Sequence, residues 1–205
     1  MLGLLFALAP SAHATVDPAP PIKIVQDSLV VPEGVDPEDA LSSVADIARI
    51  FELYEPAIPW VPGVKIELQK EVVSQGTPTV LELPVSGNAA GKAILERAHV
   101  IATAAPTTCA SGPGRTITLD FTESSYNIQR RIDRIEIEAC LEPSANGKQR
   151  VSATGKMYAG FKPEDPELNA LMENIGSKAI QGAFLRQVNP ILDAVEAHWL
   201  DLPHS

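Results

Sequence analysis

Two cysteines and four histidines are the most chemically versatile side chains in this 205-residue sequence, and their spacing argues against a reactive centre. His13, His99, His198 and His204 include no pair at i, i+4 with a glutamate between, and neither Cys109 nor Cys140 stands close to a histidine. A zinc site therefore has no local signature, and the absence of a C-x-x-C motif gives no ground for a redox-active pair. The chemistry expected of the cysteines is a disulfide. Cys109 lies in the turn-rich stretch 105–114 and Cys140 near a strand end, and closing such a loop stabilises a fold by about 3 to 4 kcal/mol on the chain-entropy account.

Ser86-Gly-Asn-Ala-Ala-Gly-Lys92 has the glycines and lysine of a phosphate-binding loop. Only three residues separate Gly87 from Gly91, however, and Ala93 stands where a hydroxyl would hold magnesium, so the segment reads as a glycine-bearing turn. No G-x-S-x-G elbow is present for a serine nucleophile. Glu136 and Glu138 share one face of a strand, a spacing at which two carboxylates can divide acid and base roles. Lys156 and Thr154 are their expected neighbours, which makes a solvated, charge-paired surface the better account. Arg130, Arg131 and Arg134, with Tyr126 nearby, could receive an anionic group. Alternating with Asp133 and followed by two glutamates, they read instead as a surface ion network. No catalytic, cofactor or metal residue is expected, and the chain reads as a binding protein rather than an enzyme.

Composition narrows the partners. Sixteen basic against 26 acidic residues give a net charge of -10, which repels nucleic acid and anionic lipid surfaces alike. The first fourteen residues form a short apolar run, then Pro10, then small residues ending in Ala-His-Ala, the pattern of a cleavable signal segment, although no lysine or arginine precedes the run. No other stretch reaches the ~20 apolar residues of a membrane-spanning helix. The expected organisation is a signal segment over 1–14, a proline-rich leader over 15–21 and a single α+β domain over 22–205, secreted or periplasmic.

The elements that must position these residues follow from periodicity. Asp36-Pro37-Glu38-Asp39 predicts a helix start, with apolar residues at helical spacing to Phe51 and an end by Glu55. Prolines at 56, 59 and 62 then predict an extended segment over 54–63, whose Tyr54 and Trp60 could form a ligand mouth or a partner strip. Strands are expected at 22–31, 64–73, 79–85, 92–104 and 116–121; the fourth reads as strand because a turn-rich loop and an alternating strand follow it, although Ile94, Leu95, Ala98, Ile101 and Ala102 also fit a helical stripe. The hairpin 134–161 has the best-determined register: a loop at Ala145-Asn146-Gly147, with Gly147 left-handed, makes opposed residue numbers sum to 292 and sets Glu142 against Arg150 and Glu136 against Lys156. Asp165-Pro166-Glu167 predicts a long final helix kinked near Pro190.

The expected fold is α+β, an antiparallel sheet of five to seven strands with one N-terminal helix and a long kinked C-terminal helix packed on one face. Small residues on the inner face, Gly155 among them, would leave room for a ligand. The functional expectation is an exported, non-catalytic protein that binds an apolar small molecule or lipid. The alternative is a cell-envelope interaction component using segment 54–63 or a sheet edge.

Overall fold

The computed structural model describes residues 21–57, 64–89, 91–129, 132–144, 146–158 and 177–203. The signal segment, most of the leader, Trp60, Arg130, Arg131 and the helix start at Asp165 lie outside the described residues.

The elements in chain order are β1 (Ile22–Val30), α1 (Pro37–Ser43), α2 (Ile47–Leu53), β2 (Val64–Leu68), β3 (Glu71–Ser74), β4 (Thr79–Ala89), β5 (Lys92–Cys109), β6 (Gly112–Asp120), α3 (Tyr126–Gln129), β7 (Arg134–Pro143), β8 (Gln149–Tyr158) and α4 (Ser177–Leu200). The strands form one antiparallel sheet in the order β1-β8-β7-β6-β5-β4-β2, with β3 also paired to β4. The α+β expectation is met, but the described residues form eight strands rather than five to seven.

Pro84 accounts for the extra strand. It sits within β4 and has no N–H to offer a neighbour, and there the strand expected over 64–73 divides: β2 pairs with Val85–Ala89 and β3 with Val80–Glu82. In the gap between them, the Gln69 N–H donates to the Pro84 carbonyl at 3.0 Å.

The ambiguous stretch 92–104 is strand, and β5 runs beyond it to Cys109. The turn-rich stretch 105–114, expected as the loop joining the fourth and fifth strands in a hairpin, is itself mostly strand, with Cys109 paired to Gly112 at the tip. Odd-numbered residues of β5 turn their backbone groups toward the β6 side, as the Arg97 and His99 N–H bonds to the Ser125 and Ser124 hydroxyls show. Even-numbered residues therefore face β4, which pairs no further than Ala102, so the N–H that Pro106 lacks falls where β4 no longer needs it.

The β7–β8 hairpin has the predicted register, with Glu142 opposite Arg150, Glu136 opposite Lys156 and Gly147 at φ +77°. Arg150 reaches Glu142 at 2.9 Å. Glu136 instead takes the Tyr158 hydroxyl at 2.7 Å and lies 3.1 Å from Arg134 Nε. A register fixes which residues are opposed, and rotamers then choose partners among diagonal neighbours as well.

Asp36 caps α1 as predicted, its Oδ1 accepting from Glu38 N at 2.8 Å and Asp39 N at 3.2 Å. The single N-terminal helix, however, is two. Asp46 acts as a second cap, accepting from Arg49 N at 3.2 Å, and the chain turns between Val44 and Ile47. The short α3 was not foreseen either. The final helix is continuous through Pro190 over its described length, and its contacts run to β1, α1 and α2.

One core cluster joins α1 to the sheet and to the end of α4, through Ala40, Leu41, Val44, Ile117, Ala139, Val151, Val195 and Trp199. Trp199 is fully buried, and its Nε1–H donates to the Ala40 carbonyl at 3.0 Å. The indole thus fills the space between helix and sheet while its one polar group is satisfied. Arg49 adds a 2.7 Å contact to Asp201 at the same end. A second cluster centres on Ile135 and Met157, and a third on Phe51, Leu81 and Val100.

Candidate functional site

Strand β6 alternates, and Arg115, Ile117 and Leu119 turn toward the helices, with Phe121 following just beyond the strand end. Leu119 lies between Ala102 of β5 and Ile135 of β7, in the middle of the sheet. It packs against all three core clusters. A leucine so placed should be buried, yet Leu119 keeps partial exposure, as do Phe121, which packs against two clusters, and Ile137, which also packs against two. Solvent reaches the inner face where the three clusters meet. Leu119, Phe121 and Ile137 form the floor of this partly exposed apolar region, a gap in the cover that the described residues give the inner face.

The neighbouring side chains explain the gap. Ala98, Ala102 and Ala104 of β5 project little volume from the inner face. Ala102 is fully buried, whereas Ala98 and Ala104 keep partial exposure beside the floor. On the helix side, α2 contributes Phe51 and Ile47, the latter packed against two clusters.

Tyr54 stands beside this gap, packed against the Phe51 cluster. Its hydroxyl donates to Gln187 Oε1 of α4 at 2.6 Å, and the same carboxamide accepts from Ala57 N at 3.0 Å and donates to Ala57 O at 2.8 Å. Burial pushes the Tyr54 hydroxyl up to about 12. Lys70, between β2 and β3, fixes the turn that presents Tyr54: its ammonium donates to the carbonyls of Glu52, at 3.0 Å, and Tyr54, and lies 3.6 Å from Glu55. A cation on the last carbonyls of α2 satisfies acceptors the helix leaves open.

The other predicted site residues are dispersed. Gly155 is on the inner face as expected, in register with Ile137 and Val25, but it is buried in the packed part of the sheet and does not form the floor. Arg134 is on the opposite face, 4.4 Å over the Tyr158 ring. Glu136, which accepts from the Tyr158 hydroxyl, raises the Tyr158 pKa and lies 3.1 Å from Arg134, while Arg130 and Arg131 of the same basic cluster lie outside the described residues. Glu138 stands opposite Thr154, away from the gap. His99 is pinned on the outer face with Nδ1 3.0 Å from Glu82 and Nε2 3.5 Å from Glu123. A wide-mouthed groove of ≈ 430 Å³ also lies along β4 and β5, lined in part by Pro84, Ser86, Leu95, Arg97 and Ser125. Sequence reasoning missed Leu119, Phe121 and Ile137 as floor residues. Their alternation was legible, but partial exposure at a cluster junction has no sequence signal.

Cys109 and Cys140 are joined by a disulfide with a Cα–Cα distance of 6.0 Å. The bridge links β5 to β7 across the intervening β6, which is possible because residue 114 is glycine. A Cβ there would stand 2.4 Å from Cys109 Sγ and 2.9 Å from the Ala139 carbonyl.

No protein-family model matches the chain, and no curated protein matches it in sequence. Similar outlines occur among solved structures. A Thermus thermophilus protein aligns at 16% identity and TM-score 0.44, over 87% of this chain and 99% of that one. The protein Ara h 8.0201 aligns at 13% identity and TM-score 0.37, over 87% and 97%. The di-domain ARO/CYC StfQ of the steffimycin biosynthetic pathway aligns at 12% identity and TM-score 0.41, over 88% of this chain and 52% of that one. What the chain itself shows is an antiparallel sheet with the last described helix packed beside it. Likeness at this distance carries no functional argument, which has to come from the gap itself.

Proposed function

We propose that this protein binds an apolar small molecule or lipid at the gap over Leu119, Phe121 and Ile137, and that it does so without catalysing a reaction on it. The observation that carries the reading is the partial exposure of Leu119 at the junction of all three core clusters. Exposed apolar surface inside a fold costs about 25 cal/mol per Å², and an apolar ligand recovers that cost on binding. The floor residues supply no nucleophile, acid or base, which favours binding over chemistry.

The test is saturable uptake of a fluorescent fatty acid by the purified chain, before and after Leu119→Trp. Uptake by the natural chain, lost in a variant that still unfolds cooperatively, is expected. No uptake by the natural chain, or undiminished uptake by the variant, rules the reading out.

We further propose that the chain acts after export, in the periplasm or outside the cell. A disulfide is at home in an oxidising compartment, and the apolar run before Ala14 supports the same view. Mass spectrometry of protein recovered from its natural source should find Thr15 first and no alkylatable thiol. Finding Met1 retained with both thiols free would reject it. The alternative of a partner strip over 54–63 gains nothing at Tyr54, whose hydroxyl is engaged within the fold.

A further inference from the structure

Cys109, Cys140 and Glu138 bring two sulfurs and a carboxylate within 4.8 Å of one another. Glu138 and Cys140 share a face of β7, and each is held by ladders on both sides: Glu138 between Thr116 and Thr154, Cys140 between Gly114 and Ser152. Cys109 arrives from the end of β5 across Gly114, its Sγ 3.8 Å from Glu138 Oε1. The three donors thus come from two strands whose backbones are fixed independently of the sulfur–sulfur bond.

Beside the disulfide this carboxylate is exposed to water. Beside two thiolates it completes a donor set of two soft sulfurs and one oxygen, the kind zinc accepts in tetrahedral sites with water in the fourth position. Three anionic ligands so close also repel one another until a cation separates them. We propose that reduction converts this cross-link into a binding site for a thiophilic divalent cation such as Zn²⁺. A dithiol supplies two electrons and two protons, leaving as its own disulfide while Cys109 and Cys140 become thiols. The cation then displaces both thiol protons, forms two sulfur–metal bonds and takes one oxygen of Glu138. One covalent brace between β5 and β7 is exchanged for another, independently of the apolar gap.

The experiment uses the full chain reduced with a water-soluble phosphine, which is not itself a thiol ligand, and titrated anaerobically with Co²⁺. Binding of one equivalent is expected, with sulfur-to-cobalt charge-transfer absorption, tetrahedral d–d bands and displacement by Zn²⁺. The oxidised chain should show neither band. Glu138→Gln should still form the disulfide in air, yet bind cobalt more weakly by roughly ten- to a hundredfold, the scale on which even outer-shell changes act at metal sites. Absent bands in the reduced chain, or equal affinity in Glu138→Gln, would overturn the proposal. Equal affinity in concentrated urea would also overturn it, because the site would then owe nothing to the fold. If reduction alone unfolds the chain, cobalt should restore the native circular dichroism in the natural sequence and not in Glu138→Gln; failure to restore it counts against the site.

Discussion

The inner face of the sheet is packed shut at one end and only partly covered by the described residues on its middle strands, although both regions are built from the same residue classes. At the sealed end, Ile117, Ala139 and Val151 meet α1, and Trp199 closes the remaining space. At the centre, Leu119, Phe121 and Ile137 are no less apolar, but the clusters around them stop short of covering them. Burial here depends on what the helices bring to the sheet, and a single large indole separates a packed core from a gap. The contrast assigns stability to one region and binding to the other.

The largest expected effect comes from emptying the sealed end. Trp199→Ala removes a fully buried side chain and leaves the Ala40 carbonyl unpaired. It should cost about 3 to 5 kcal/mol in urea unfolding, the usual range for large-to-small core changes. Removing the brace with Cys109→Ser and Cys140→Ser together should cost about 2 to 4 kcal/mol by the same measurement.

Truncation at the centre should cost less, because part of the side chain already meets solvent. Leu119→Ala is expected to fall below the roughly 2 to 5 kcal/mol of buried leucines while weakening fatty-acid uptake. A cost as large as that of Trp199→Ala would erase the distinction between the two regions.

Tyr54 sharpens the comparison through pH. The folded chain holds its hydroxyl up to about 12, against an ordinary 10, so the unfolded chain loses its proton first as pH rises. Above pH 10 the unfolded state binds fewer protons, and stability falls between 10 and about 12. Tyr54→Phe should flatten that decline, as read from urea midpoints on either side of pH 10. An unchanged slope would mean that the tyrosine is more open to water than its packing implies. The smallest effect should follow Arg150→Ala on the outer face, where a half-exposed pair with Glu142 contributes no more than about 1 kcal/mol.

Much of the fold was legible because its signals are local. Alternation and a left-handed glycine at 147 set the β7–β8 register, and Asp36 with Pro37 set the start of α1. The missed features depend on competition between neighbours. The break at Asp46 required one aspartate to cap a new helix within a stripe that still read as helical. The division of β2 from β3 required knowing which strand would lie beside Pro84.

Periodicity and side-chain chemistry alone therefore determined the fold class, the best hairpin and the pairing of Cys109 with Cys140, since each depends on short-range geometry or on there being a single possible partner. Tertiary structure decided where the inner face is covered and where it is open. That depends on the volume left when helices from distant parts of the chain meet one sheet, and Leu119 has the same apolar character whether or not a helix covers it.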